Sequence, residues 1–65
     1  MASTDTLAYV ESKLDERRKE LTAFIAEGGI RDFTEYHKLC GVIQGLDHAK
    51  QVILDLAKRL ERDDE

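Results

Sequence analysis

Leucine recurs at seven-residue intervals twice in this chain: at Leu7, Leu14 and Leu21, and again, with one isoleucine, at Leu39, Leu46, Ile53 and Leu60. Seven residues make two turns of α-helix, so each row lies on one helical face. A strand, with its two-residue period, would scatter the same side chains over both faces. Val10, Phe24 and Ile25 widen the first row. Tyr36, Val42, Ile43, Ala49, Leu56 and Ala57 widen the second. Between the rows stands Gly28-Gly29, and glycine closes a helix in the left-handed conformation without a Cβ penalty. Asp32 and Glu35 then have the three-residue spacing of a capping box, with Asp in the place of Ser or Thr. The chain contains no proline. These signals predict a first helix over about 5–27, a glycine turn at 28–31, a second helix over about 33–62 and an acidic tail at 63–65. The expected fold is all-α: residues 1–65 form one antiparallel two-helix hairpin with coiled-coil-like packing.

The heptads also predict a register. In an antiparallel pair, facing positions have residue numbers that add to a constant. A constant of about 60 brings Leu21 to Leu39, Leu14 to Leu46 and Leu7 to Ile53 in one stroke. The alternate layers then match Phe24 with Tyr36, Arg17 with Ile43 and Val10 with Lys50. Arg17 and Lys50 are therefore expected at the seam, as polar residues that set register or partner choice.

One seam does not use up the apolar residues. Val42, Ala49 and Leu56 broaden the stripe of the second helix beyond a two-residue seam, as a helix with more than one neighbour requires. In the predicted register Leu60 extends past the start of the first helix. Gly41 and Gly45 each cost a helix about 1 kcal/mol relative to alanine. With Ala49 they form a ridge of small residues, suited to a close crossing with the first helix or with another subunit. A single seam barely offsets the entropy of ordering so short a chain. The hairpin is thus expected to complete its core by oligomerisation or by docking on a partner, through Gly41, Val42, Gly45, Ala49, Leu56 and Leu60.

Little in the sequence points to chemistry. One cysteine allows no internal disulfide framework, and no set of zinc ligands stands at finger spacing. His37, Cys40, Gln44 and His48 share one flank of the second helix, but His37 and Cys40 are the only close pair of ligand types. No base-orienting partner or oxyanion loop accompanies them. No enzyme activity, cofactor or metal is expected. Lys13, Arg17, Arg18 and Lys19 make a basic cluster, interleaved with Glu11, Asp15, Glu16 and Glu20. With 14 acidic against 10 basic residues and a net charge of -4, the balance argues against nucleic acid as a partner. The start, Met1 to Asp5, has neither the basic residues nor the apolar run of a signal peptide, and no stretch reaches membrane-spanning length. The expectation is a chain that is neither secreted nor membrane-spanning.

The run from Asp32 to Leu46, of the form D-x-x-E-Y-x-x-L-x-G-x-I-x-G-L, together with the charged first helix and the acidic end, resembles small helical proteins of tailed bacteriophages. Genes for such proteins often sit among the head and portal genes. The resemblance implies a structural, virion-associated or assembly role, in the virion or the infected host's cytoplasm. It implies as partners the chain itself, as a homo-oligomer, or a larger phage structural protein. The alternative expectation is a small dimeric helical regulator that binds nucleic acid or inhibits a host protein. The basis for the nucleic-acid reading is a likeness in length and hairpin architecture to a plasmid copy-number protein.

Overall fold

A computed structural model describes residues 2–63 as two antiparallel α-helices, α1 (Ala2–Ala26) and α2 (Phe33–Asp63), with no strand among the described residues. Together they form a rod 51 Å long with a cross-section of 15 × 12 Å. The expected all-α hairpin is the observed fold. α1 begins earlier than the sequence signals suggest, and α2 runs to Asp63. The remainder of the expected acidic tail, Asp64 and Glu65, lies outside the described residues.

Local chemistry explains the turn. α1 closes in a Schellman motif, in which the Gly29 N–H donates to the Phe24 carbonyl at 3.0 Å and the Gly28 N–H to the Ile25 carbonyl at 3.1 Å. These bonds use up carbonyls that a helix end leaves unpaired. They require Gly28 to adopt φ +79°, a region that costs any residue with a Cβ about 1–2 kcal/mol. The Phe24 ring lies where a Cβ on Gly29 would stand, and so covers the turn. α2 opens on Asp32, whose Oδ1 accepts from the Glu35 N–H at 2.8 Å while its carbonyl accepts from the Tyr36 N–H at 3.1 Å. Asp32 is therefore the N-cap that its spacing to Glu35 predicts. Gly28→Ala should lower stability by about 1–2 kcal/mol, seen as a fall in the urea midpoint. Gly28→Asn should recover part of the loss, because asparagine tolerates the left-handed region.

Between the helices, the residues that turn inward keep alternating steps of four and three. On α1 they are Leu7, Glu11, Leu14, Arg18, Leu21 and Ile25; on α2 they are Leu39, Ile43, Leu46, Lys50, Ile53, Ala57 and Leu60. This corrects the expected first-helix seam. Val10, Arg17 and Phe24 lie one residue away from it and are exposed, while Glu11, Arg18 and Ile25 take the inner positions. Two contacts account for the rotation. Phe24 is held over the turn by Gly29, which swings Ile25 inward. Arg18 reaches across to Asp47 at 2.6 Å, and Arg17 points out to Glu20 at 3.0 Å with 61% of its side chain exposed.

The register differs too. Arg18 with Asp47 and Lys50 with Asp15 both add to 65, not 60. The chain climbs past the end of α1 before α2 begins, so the first turns of α2 stand beside the loop and not beside α1. Ala26 is level with Leu39, so at about 1.5 Å per residue α2 starts about 9 Å beyond the end of α1. Tyr36 therefore does not meet Phe24. It stacks on Phe33 at 6.2 Å, and His37 meets Phe33 edge-on at 4.4 Å. At the other end the offset brings Leu60 level with the first turns of α1, where it is half-buried. It does not overhang as the predicted register had it.

Candidate interaction surface

The two long sides of the hairpin differ in chemistry. Asp15, Arg18, Asp47 and Lys50 all lean to one side of the seam, and every interhelical ion pair found among the described residues lies there. Arg18 meets Asp47, and Lys50 meets Asp15 at 3.3 Å. Asp15 also accepts from Lys19 of its own helix at 3.3 Å. Lys50 thus occupies the seam with its side chain 33% exposed. Its charge is matched from the facing helix while its stem covers apolar surface.

Asp15 is the carboxylate of this network that faces a lysine from each helix. Hydrogen bonds from Lys19 first and then from Lys50 hold it below its ordinary value of 3.8. A carboxylate whose folded pKa is depressed adds stability above its unfolded value, and that contribution fades as pH falls through the folded value. The thermal midpoint of the wild-type chain should therefore exceed that of Asp15→Asn at neutral pH. The gap should begin to close as pH drops below about 4 and should vanish in stronger acid. A gap that stays constant down to pH 2 would show that the network contributes nothing through charge.

The opposite side carries no such pairs. There α2 presents Val42, Gly45, Ala49, Val52 and Leu56, again in steps of three and four, so α2 has a second heptad row about a quarter-turn from the first. Val42, Val52 and Leu56 are 42%, 53% and 44% exposed, and Ala49 is half-buried. A shallow groove on this row is lined by Val52, Asp55, Leu56 and Arg59. Along the same side of α1 lie Val10, Lys13, Arg17, Glu20 and Phe24. Isolated exposed apolar residues are ordinary on a protein surface, but a continuous apolar row is not.

The glycines belong to this surface and not to the α1·α2 seam. A Cβ built on Gly41 or Gly45 meets nothing within 4 Å. The expected ridge is therefore not a close crossing with the first helix. Gly45 and Ala49 lie within the second row, Gly41 lies at its outer edge, and Leu60 belongs to the inner seam. Val52 was missed, although it completes the three-and-four spacing from Val42 to Leu56. The signal was legible once glycine is counted as an apolar row member. Leu54, another residue that the periodicity did not single out, is half-buried on the ion-paired side.

Near the turn, Cys40 is half-buried beside Tyr36. A hydrogen bond with the Cys40 side chain, then electrostatic interaction with Cys40, then burial push the Tyr36 phenol above its ordinary value of 10.0. His37 is engaged by the Phe33 and Tyr36 rings. Among the described residues no three His, Cys, Asp or Glu side chains converge as a metal site, and no helix is long and apolar enough to cross a membrane. No family model, curated protein or solved structure matches the chain.

Proposed function

We propose that this chain is a non-enzymatic assembly protein of a tailed bacteriophage, acting in the virion or in the infected host by packing the second apolar row of α2 against another helical surface. The observation that supports this reading most is the uncovered row Val42, Gly45, Ala49, Val52 and Leu56. A hairpin whose single deeply buried residue among those described is Leu21, at 7% exposure, has strong reason to cover it. The likeness of the segment from Asp32 to Leu46 to small phage proteins supports the setting.

The nucleic-acid alternative is less well supported. Each cation of the basic cluster already faces a carboxylate: Lys13 faces Glu16 at 3.4 Å, Arg17 Glu20, Arg18 Asp47 and Lys19 Asp15. Phosphate binding draws on cations free to replace counterions. The test is mass spectrometry of purified particles of the phage that encodes the chain, for the wild type and for Leu56→Asp. The wild-type chain should be carried into particles and the variant lost from them. Absence of the wild-type chain from particles and from assembly intermediates alike would overturn the reading.

A further inference from the structure

We infer that the occupant of the second row of α2 is a second copy of this chain, laid antiparallel across a two-fold axis at Ala49, so that two hairpins close into a four-helix bundle. The inference rests on the reading of that row as an interface, and it is carried by self-complementarity along both helices. A two-fold contact must present the same patch to itself, so each residue of the patch needs an acceptable neighbour at its mirror position. About an axis at Ala49, Leu56 falls opposite the second copy's Val42, and Val52 falls within one residue of the second copy's Gly45. Large residues meet small ones, Ala49 meets itself, and two helices can approach closely at the centre.

The same operator constrains α1, whose row was not used to choose the axis. Two antiparallel α2 helices related in this way place their α1 helices side by side on one face of the assembly. The Arg18–Asp47 and Asp15–Lys50 levels convert the Ala49 axis into a level near Glu16 on α1. About that level, Lys13 comes within one residue of the second copy's Glu20, and Val10 within two residues, about 3 Å, of the second copy's Phe24. Opposite charges meet, and the exposed apolar residues of α1 cover each other. Arg17, close to the axis, is already neutralised by Glu20 of its own helix. The ion-paired side of the hairpin offers no such match, since Asp15 of α1 and Asp47 of α2 interrupt any apolar row there.

Cysteine cross-linking reads this arrangement directly, in full-length chain carrying Cys40→Ser to remove the native thiol. Ala49→Cys lies on the axis and should form a covalent dimer on mild oxidation, because a disulfide needs Cα atoms within about 7 Å. Val42→Cys alone and Leu56→Cys alone should not, since each is about 21 Å along the axis from its own copy at 1.5 Å per residue. An equimolar mixture of those two variants should cross-link. Sedimentation equilibrium of the unmodified chain at tens of micromolar should report twice the chain mass. Cross-linking of Val42→Cys or Leu56→Cys with itself would indicate parallel pairing and overturn the inference. So would a monomeric mass with no cross-link in any variant. If such a monomer were still carried into particles while Leu56→Asp was not, the self-pairing would be wrong and the assembly reading would stand. If the dimer formed but no particle or assembly intermediate contained the chain, the self-pairing would stand and the assembly reading would fall.

Discussion

Leu21→Ala should remove most of the chain's stability at 25 °C. Leu21 is 7% exposed and sits in the α1 seam between Arg18 and Ile25, three turns from the Schellman cap at most. Truncating a buried leucine removes its transfer free energy and leaves a cavity that neighbours fill only in part, which together cost about 2–5 kcal/mol. Small domains have only about 5–15 kcal/mol in total, and a hairpin with one seam belongs at the low end. No other described residue is buried deeply enough to compensate. The exposed helical position Lys58→Ala is the control, and its effect should stay within about 0.5 kcal/mol. The measurement is urea unfolding followed by far-ultraviolet circular dichroism. A cooperative transition for Leu21→Ala with less than about 1 kcal/mol lost would mean that stability resides in a different layer from the α1·α2 seam.

Gly45→Leu should separate folding from association. Within one hairpin a side chain at Gly45 meets open space, and leaving glycine raises helix propensity by up to about 1 kcal/mol. The isolated hairpin should therefore be no less stable. In the two-fold bundle, however, Gly45 is the slot for Val52 of the second copy, and the slot occurs twice. Overpacking costs about 1–3 kcal/mol at each site, or about 2–6 kcal/mol for the pair. The dimer dissociation constant should rise at least about thirty-fold, and the melting midpoint should lose its dependence on concentration. Gly41→Ala, at the edge of the row, should add up to about 1 kcal/mol of helix stability and leave association unchanged. Equal association by wild type and Gly45→Leu would remove Gly45 from any interface.

The class of fold was legible because it depends on periodicity and on stop signals, both of which are local. Seven-residue leucine spacing, glycine after Glu27 and the Asp32 cap each act within a turn or two of helix, so no tertiary knowledge was needed to read them. The candidate surface was legible in part. Val42, Ala49 and Leu56 stand out as surplus to one seam, and their surplus does not depend on which register the hairpin adopts. The role of Gly45 does depend on it. A small residue in a helix signals a close neighbour without saying on which side, and only the empty space around Gly45 removes α1 from consideration.

What the amino-acid order determined by itself was therefore the two helices, the turn that joins them and the presence of more apolar surface on α2 than one partner helix can cover. What the tertiary structure alone decided was the angular setting of α1 and the offset between the helices. The heptad of α1 is sparse: Val10 and Glu11, Arg17 and Arg18, and Phe24 and Ile25 are adjacent candidates for the same inner layers, separated by a rotation of about 100° that pattern alone resolves poorly. Long-range contacts made the choice. Arg18 found Asp47, and Lys50 found Asp15. Each joins residues that only the folded chain brings together, and the local sequence around either member carries no record of the other.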